Sequence, residues 1–213
     1  MKIELESVLP QDIERRSFTI IESELARPLD SALSPIIKRV IHTTADFDYA
    51  DSLYFSPNAV PLGLMALEAG VSIVTDTNMA KAGINRQALA KLGGEVRCFM
   101  ADQDVAAAAQ AKGSTRATAS MDKAAGLPGP LIFAIGNAPT ALVRLYELIR
   151  EGRITPALII GVPVGFVNVV QAKELIMQTE TPCIIARGRK GGSNVAAAIV
   201  NALMYMLMRD REA

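Results

Sequence analysis

The sequence has no tryptophan, a single histidine and two cysteines, and only 5% of its 213 residues are aromatic. Neither sign of charge is in excess, because Lys and Arg together number 22 and so do Asp and Glu. Proteins that bind nucleic acids normally carry a basic excess, so this balance argues against a nucleic-acid partner. No metal-ligand spacing exists. Cys98 and Cys183, each inside an apolar run, are predicted to be buried free thiols, with a disulfide as the weaker alternative.

Long uninterrupted hydrophobic runs are also missing, although half of the residues are hydrophobic. The longest apolar stretch, residues 154–170, is broken by Pro156, Pro163 and glycines, which makes it too interrupted for a membrane span. Residues 1–18 are charged and contain no apolar signal core. We therefore expect a cytoplasmic protein with no membrane partner, whose aliphatic side chains fill the core of a single domain, residues 1–213.

Short apolar runs flanked by Gly, Pro, Asp or Asn recur from residue 71 onward. They are "VSIVTD" (71–76), "EVRCFM" (95–100), "LIFAIG" (131–136), "ALIIGV" (157–162) and "PCIIAR" (182–187). The runs are continuous rather than alternating, as expected for strands that are buried on both faces of a parallel sheet. Helical patterns lie between and after them, at residues 79–92, 103–125, 139–151, 168–179 and 194–210. This alternation predicts the α/β class: a single doubly wound, flavodoxin-like sheet of five parallel strands flanked by helices.

The first seventy residues have a different pattern. They predict three helices, each with a proline near its start, at residues 10–26, 33–44 and 57–70. No linker, repeat or low-complexity tract separates them from the rest of the chain. We therefore expect an extra N-terminal helical segment, residues 1–70, packed on the α/β core, residues 71–213.

In doubly wound folds, ligands bind beyond the carboxyl ends of the strands. Polar and glycine-rich stretches stand at these ends, at residues 76–78, 101–103, 136–139, 161–168 and 187–194. The densest of them, "RGRKGGSN" (187–194), places three cations and three glycines ahead of a predicted helix start. Free N–H groups, the helix dipole and fixed cations favour an anion or a carboxylate there, and a solvated basic turn is the alternative. The phosphate-binding patterns GxxxxGK[ST] and GxGxxG do not fit.

Three other features each allow two interpretations. Asn137 could cap the helix that follows it or present its amide to a ligand. Arg116 lies in or beside a predicted helix and, on its own, is best interpreted as one half of a surface ion pair. The stretch "GVPVGFVN" (161–168), with an exposed-looking Phe166, suits a loop against a flat apolar ligand or a plain turn.

The single histidine, His42, lies in "RVIHTTADFDY" (39–49). A lone histidine is most often structural or superficial, and metal ligation lacks partner residues here. No GxSxG pattern supports a catalytic triad. Acid–base chemistry remains, because histidine is the usual side chain for proton transfer near neutral pH. Arg39, three residues earlier, would lie on the same face of a helix.

Long stretches of the chain resemble the precorrin-8X methylmutase family of cobalamin biosynthesis, which includes the cobalt-precorrin-8 methylmutases. They are "IERRSFTII" (13–21), "RVIHTTADFDYA" (39–50), "LYFSPNAV" (53–60), "TDTNMAKAGI" (75–84), "GSTRATASMDKAA" (113–125), "FAIGNAPTAL" (133–142), "GVPVGFVN" (161–168) and "RGRKGGSNVAAAIVNAL" (187–203). Residues 42–60 resemble the cobalt-containing branch more than the metal-free one.

The resemblance implies an isomerase that moves a methyl group from C11 to C12 of cobalt-precorrin-8 or precorrin-8X. Such a shift needs no cofactor and no added methyl donor. His42 matches the family's essential histidine, whose implied role is to donate or accept a proton near ring C of the macrocycle. The resemblance also implies a homodimer. Residues 57–70 and 194–210 could contribute to its interface, although core packing would explain their apolar side chains equally well.

The implied substrate is a flat conjugated ring with several carboxylate side chains, which arginine binds best because its fork is bidentate. Ser17, Arg39 and Arg116 match positions that resemble the family's substrate contacts. Further contacts are expected where the fold places ligands, at Asn137, Phe166, Arg187 and Lys190. Apolar walls for the ring could come from Phe166, Val164 and nearby methionines.

Two other functions stay open at this point. A nucleotide-dependent enzyme on the same fold would require binding of NAD(P) or ATP at the glycine turns, and the absent phosphate motifs argue against it. A corrinoid-binding carrier without chemistry would tolerate the loss of His42, whereas a mutase would not.

Overall fold

The structure, a computed structural model, describes residues 5–212, with side chains described as far as residue 208. Within these residues, one six-stranded sheet has the strand order β1-β6-β5-β4-β2-β3. The strands are β1 (Leu53–Phe55), β2 (Ile73–Thr75), β3 (Val96–Arg97), β4 (Ile132–Ile135), β5 (Leu158–Gly161) and β6 (Cys183–Ala186). The helices are α1 (Ile13–Glu24), α2 (Ser34–Thr44), α3 (Tyr49–Ser52), α4 (Ala59–Glu68), α5 (Asn78–Gly83), α6 (Arg86–Lys91), α7 (Gln103–Lys112), α8 (Arg116–Ala124), α9 (Pro139–Arg150), α10 (Val169–Met177) and α11 (Ser193–Glu212).

The five strands expected from the apolar runs are all present, and all are parallel. Their order, β6-β5-β4-β2-β3, is the flavodoxin-like one, in which the first core strand lies between the second and the third. The direction of winding therefore reverses between β2 and β4. The predicted doubly wound α/β class is confirmed.

The sheet has a further strand that the sequence did not indicate. β1 pairs antiparallel with β6 at the sheet edge, and Leu53 stands opposite Ala186, the last residue of β6. The expectation of five strands was therefore wrong by one, and residues 1–70 are not only helical. A run of three residues carries little local pattern, because its extended conformation depends on pairing with a strand that lies far along the chain.

Two predicted helices are each divided into two. Between α5 and α6, the side chain of Asn85 accepts a hydrogen bond from the N–H of Ala88 and starts a new helix. Between α7 and α8, Gly113 ends the first helix in the left-handed region (φ 58°), and Thr115 caps the second through the N–H of Thr118. Such caps satisfy backbone groups at helix ends, so each break is locally stable.

Neighbouring residues of the parallel strands β2, β4, β5 and β6 face two different hydrophobic clusters, which explains their continuous apolar runs. In β4, Ile132 and Ala134 join the cluster that contains residues of α2, α4 and α11. Phe133 and Ile135 face the other side, with residues of α7, α8, α9 and α10. Because α11 contacts both α2 and the sheet, its residues 195–200 are all buried.

Cys98 and Cys183 are both free, as predicted, and Cys183 is buried whereas Cys98 is partly exposed. Burial raises the pKa of the Cys183 thiol. Among the helices of residues 5–212, none is both long and apolar enough to cross a membrane.

Candidate active site

One buried carboxylate joins the ends of β2 and β4, where the winding reverses. Asp76, directly after β2, accepts hydrogen bonds from the backbone N–H groups of Gly136 (2.9 Å), Asn137 (2.8 Å) and Ala138 (2.6 Å). Burial raises the pKa of Asp76, and the three hydrogen bonds partly offset this effect. The carboxylate thereby fixes the turn after β4 at the place where doubly wound folds bind ligands.

The turn after β4 exposes Asn137 to solvent. The N-cap residue of α9 is Ala138 and no side chain caps this helix, so the capping interpretation of Asn137 was wrong. The Asn137 side-chain amide makes no hydrogen bond with any residue that the structure describes, which leaves it available to a ligand. The turn also lies directly against α11, because a Cβ at Gly136 would be only 2.6 Å from the Cα of Ser193.

The glycine turn, residues 187–192, connects β6 to α11 and lies close to the chain after β5. Gly192 donates its N–H to the carbonyl oxygen of Val162 (2.8 Å). A Cβ at Gly191 would be 2.0 Å from that same oxygen, so only glycine fits at this position. Gly191 and Gly192 also have positive φ angles, 156° and 141°, that side chains with a Cβ rarely adopt. The glycines therefore allow the turn to pack directly against Val162, the residue that follows β5.

Two arginines of the glycine turn carry charges without an acidic partner. The guanidinium of Arg187 lies over the ring of Tyr54, 4.7 Å from its centroid, and that of Arg189 lies 5.5 Å from the ring centroid of Phe166. Both side chains are exposed, and neither makes an ion pair with a described residue. Their charges can therefore attract a carboxylate from outside the chain.

The third cation of the turn, Lys190, is engaged inside the chain. Its Nζ contacts carboxylate oxygens of Asp46 (2.6 Å) and Asp48 (2.5 Å). These contacts raise the pKa of Lys190 and lower that of Asp46. The pair of acids joins the loop after α2 to the glycine turn, so Lys190 does not present a free charge to a ligand in this structure.

His42 lies in the last turn of α2 and is exposed. Its ring stands edge-on to that of Phe18, with 5.6 Å between the centroids and an interplanar angle of 87°. Ala45, in the left-handed region (φ 53°), ends α2 and leads into the loop whose Asp46 binds Lys190. His42 therefore lies at the same end of the sheet as the glycine turn. This is the end at which the parallel strands finish, and we call it the carboxyl edge.

Arg39 lies one turn before His42 and is largely enclosed. Both of its terminal nitrogens donate to the carboxylate of Glu14, at 2.7 Å each, and 12% of its side chain is exposed. The guanidinium also lies 5.0 Å from the ring centroid of Phe18 and 5.1 Å from that of Tyr205. Ser17 is partly buried on α1, where its Oγ donates to the carbonyl four residues earlier (2.9 Å). The fork that was expected to bind substrate is occupied here by Glu14.

Arg116 has the opposite surroundings. It is the first residue of α8 and is exposed, and it makes no ion pair or hydrogen bond with any described side chain. The surface ion pair that the sequence alone favoured is therefore wrong. Thr115 and Thr140, at the starts of α8 and α9, are hydrogen-bonded through their hydroxyl groups (2.9 Å). Since α9 follows β4, Arg116 lies at the carboxyl edge of the sheet.

One stretch that was expected at this edge lies elsewhere. Asp102 contacts Nζ of Lys123 (2.7 Å), which is near the end of α8. That end leads to the start of β4, at the amino edge. The chain after β3 therefore runs back along the sheet before α7 begins, and residues 101–103 are not part of the candidate site.

Large apolar side chains are exposed in the connections after β2 and β5. They are Met79 (72% exposed), Val164 (49%), Phe166 (83%) and Val167 (78%). Their position beyond the carboxyl ends of β2 and β5, where doubly wound folds bind ligands, makes these side chains candidates for contact with a ligand. The exposure of Phe166 was predicted and is confirmed.

These groups together suit a large, flat, partly apolar anion. Apolar side chains can contact the faces of a ring, while the unpaired forks of Arg116, Arg187 and Arg189 can bind carboxylates at its rim. His42 is the exposed group there that can transfer a proton near neutral pH. The described residues contain no group of three or more His, Cys, Asp or Glu placed to hold a metal ion.

Two buried polar residues at this end of the sheet, Asp76 and Lys173, were not predicted from the sequence as functional residues. Asp76 was seen only as part of a strand end, and its three partners lie sixty or more residues away. Lys173 is 1% exposed and donates to two carbonyls of the glycine turn. A usable signal existed for Lys173, because it follows the pattern of buried positions of α10, with Val169, Ala172 and Ile176.

Comparison with known proteins identifies the family of the chain. The family described as "Precorrin-8X methylmutase" matches residues 12–206. The chain belongs to this family. The matched segment includes every residue predicted for the site and all six strands.

Individual relatives match over nearly their whole length. The "Cobalt-precorrin-8 methylmutase" of Salmonella typhimurium is 49% identical over 208 residues, covering 93% of this chain and 96% of the relative. The "Precorrin-8X methylmutase" of Pseudomonas aeruginosa is 40% identical over 196 residues, covering 91% and 94%. The crystal structure of the precorrin-8X methyl mutase from Thermus thermophilus superimposes with a TM-score of 0.86, at 40% identity, covering 93% of this chain and 98% of the other. Fold and family therefore agree.

Proposed function

We propose that this protein is an isomerase that moves a methyl group from C11 to C12 of cobalt-precorrin-8, giving cobyrinic acid. The observation that carries the proposal is the carboxyl edge of the sheet, where an exposed histidine, unpaired arginines and exposed apolar side chains occur together in a chain of the methylmutase family. The reaction rearranges one molecule, so its atoms balance without a cofactor or a methyl donor.

His42 is proposed as the proton donor or acceptor near ring C. Protonation or hydrogen bonding of the macrocycle withdraws electron density from the conjugated system and eases migration of the methyl group. The edge-on contact with Phe18 restricts the imidazole ring, and its exposure leaves a ring nitrogen accessible to a ligand. This combination supports direct contact with the substrate rather than a packing role.

The remaining site residues are proposed as substrate contacts of two kinds. Arg116, Arg187 and Asn137 have no acidic partner among the described residues and can bind carboxylates without rearrangement, and Phe166 can contact the ring. A second kind consists of residues that are already bonded within the chain, namely Ser17, Arg39 and Lys190. Arg39 and Lys190 contact the substrate only if a substrate carboxylate replaces Glu14, or Asp46 and Asp48.

We propose the cobalt-containing substrate because the relative named for it is 49% identical, against 40% for the Pseudomonas precorrin-8X methylmutase. The test is an anaerobic incubation with precorrin-8 in its cobalt and its cobalt-free form. We expect a change in the visible spectrum at constant mass, faster with the cobalt form. A faster reaction with the cobalt-free form would contradict the branch. Binding without any conversion would contradict the isomerase and favour a corrinoid carrier.

The protein is further proposed to work as a cytoplasmic homodimer without nucleic-acid or membrane partners. Met204 and Leu207 of α11 are buried within the chain, so they are not available to a partner. α4, in contrast, exposes Leu62 (39%) and Met65 (64%), which can contribute to a subunit interface. Sedimentation of the wild-type chain and of Met65→Glu tests this. We expect the variant to be monomeric at protein concentrations at which the wild type is still a dimer. Identical sedimentation of the two proteins would show that α4 is not part of the interface.

A further inference from the structure

Lys173, on α10, is a buried lysine that the proposed reaction does not yet use. Its Nζ donates to the carbonyl oxygens of Gly188 (2.8 Å) and Lys190 (2.9 Å), both in the glycine turn. Only 1% of the residue is exposed, and no carboxylate of the described residues pairs with it. A buried ammonium group is costly unless hydrogen bonds compensate it, and here two backbone carbonyls supply that compensation.

These two hydrogen bonds determine how the turn is oriented. In a trans peptide unit the C=O and the following N–H point in opposite directions, and the structure contains no cis peptide bond in its described residues. Because the carbonyls of Gly188 and Lys190 point at Lys173, the N–H groups of Arg189 and Gly191 point away from it. Neither N–H donates to a described residue. The turn thus presents two unsatisfied donors on the side opposite Lys173.

The middle carbonyl of the turn is fixed as well. The carbonyl oxygen of Arg189 accepts a hydrogen bond from the N–H of Gly165, in the connection after β5 (3.1 Å). Three successive carbonyls, at residues 188–190, therefore have partners inside the chain. The ammonium group of Lys173 bonds two of these three carbonyls, and a backbone N–H bonds the third. Among the side chains that the structure describes, Lys173 therefore contributes most to holding the turn in its orientation.

We propose that Lys173 is a positioning residue for substrate binding. By bonding two carbonyls of the glycine turn from the interior, it holds the N–H groups of Arg189 and Gly191 toward a carboxylate of the corrinoid. The inference rests on the proposed function, since the corrinoid supplies that carboxylate.

Electrostatics acts in the same direction as the geometry. Burial lowers the pKa of Lys173 to about 8, so the side chain is still mostly charged at neutral pH. A positive charge behind the turn adds to the attraction that the N–H dipoles exert on an anion, and a buried charge is screened less by salt than an exposed one. Lys173 therefore favours an anion on the turn without touching it.

The test compares Lys173→Met with the wild-type chain by titration with cobyrinic acid, followed by absorbance, and by steady-state kinetics. We expect Kd and KM to rise about tenfold or more, as for loss of charge-assisted hydrogen bonding, with kcat within about twofold. The matched control is Lys112→Met, which removes the same charge from an exposed lysine that pairs with Asp122 (3.5 Å) and does not touch the turn. Its Kd and KM should equal those of the wild type.

Unchanged Kd and KM in a folded Lys173→Met protein would overturn the proposal, and so would a loss confined to kcat. If that variant does not fold, Lys173→Gln serves instead, because a neutral amide retains a donor and should give an intermediate rise in KM. Failure of the proposed function can be distinguished from failure of the inference about Lys173. A wild-type chain that binds cobyrinic acid but does not isomerise cobalt-precorrin-8 would contradict the mutase. The comparison of binding between Lys173→Met and the wild type would still test the role of Lys173.

Discussion

Arg39 and Arg116 are two arginines of one candidate site, and their surroundings differ in exposure, in ion pairing and in contacts with aromatic rings. Arg39 is 12% exposed, its fork is filled by Glu14, and its guanidinium lies against two aromatic rings. Arg116 is exposed at the start of α8 and has no acidic partner in the described part of the chain. A filled fork stabilises the fold, whereas an empty one is free to bind a ligand. Residue type alone does not distinguish these roles.

The glycine turn contains the same two kinds of cation, one paired with acids and one without an acidic partner among the described residues, within four residues of each other. Lys190 is bound by two aspartates from the loop after α2, while the guanidinium of Arg187 lies over the ring of Tyr54 and has no acidic partner in the part of the chain that the structure describes. We infer that paired cations at this edge hold its segments together and that unpaired cations receive the substrate. The predictions below test this division, from the largest expected effect to the smallest.

Replacing His42 by Asn should remove the chemistry while leaving both classes of cation in place. We expect turnover to fall about 1,000-fold, or ~4 kcal/mol, as is usual for loss of a general acid or base. Affinity for cobyrinic acid should stay within about tenfold. Anaerobic kinetics and an absorbance titration measure the two quantities. Equal losses of binding and turnover would contradict an acid–base role.

Lys173 is a third kind of cation, whose partners among the described residues are two backbone carbonyls. Burial lowers its pKa to about 8 from the ordinary value of 10.5. Between these pH values the unfolded chain binds more protons than the folded one, so the contribution of Lys173 to stability rises with pH and is complete above 10.5. At about 1.4 kcal/mol per pH unit, the free energy of unfolding should rise by about 3 kcal/mol relative to Lys173→Met. Urea unfolding of both proteins across this range measures the difference, and parallel curves would contradict the prediction.

Arg39→Met should mainly lower stability. The variant loses a bidentate ion pair and two aromatic contacts, but Glu14 is about half exposed and can be solvated again, which limits the cost to about 2 kcal/mol. Arg15→Met is a matched control on α1, since it removes an ion pair with Asp12 whose arginine is 80% exposed. Its effect should be below about 0.5 kcal/mol. Equal unfolding midpoints for the two variants would show that Arg39 is not structural.

Arg116→Ala should show the reverse pattern. We expect KM to rise about tenfold, or ~1.4 kcal/mol, with the free energy of unfolding changed by less than about 0.5 kcal/mol. Arg150→Ala provides the control, because Arg150 is also exposed but lies at the end of α9, at the opposite edge of the sheet. An unchanged KM for Arg116→Ala would place this arginine outside the site.

The parallel core could be predicted because its information is local. Four of its strands, β2, β4, β5 and β6, lie in continuous apolar runs between turn residues, and their alternate side chains enter two clusters, so no polar face interrupts these runs. β1 could not be found in this way, because three residues become a strand only by pairing with β6. The breaks at Asn85 and Gly113 had visible cap residues but lay inside longer helical patterns.

The location of the candidate site could be proposed from the sequence, because four of the five carboxyl ends of strands could be read from it, although residues 101–103 lie elsewhere. Which of its cations are already paired with acidic residues could not be predicted. Glu14 lies 25 residues before Arg39, and Asp46 lies 144 residues before Lys190, so neither pairing appears in a local pattern. Family resemblance marked the arginines as contacts without showing which forks are already filled, and that distinction needed the folded chain.

The most direct measurement of the central claim is a crystal structure of the protein with cobyrinic acid bound. We expect the ring against Phe166 at the carboxyl edge, carboxylates on Arg116 and Arg187, and a nitrogen of His42 within hydrogen-bonding distance of the macrocycle. The opposite edge of the sheet has its own depression of about 450 Å³, lined by residues that include Leu131 and Pro156. A corrinoid bound there, away from His42, would contradict the account.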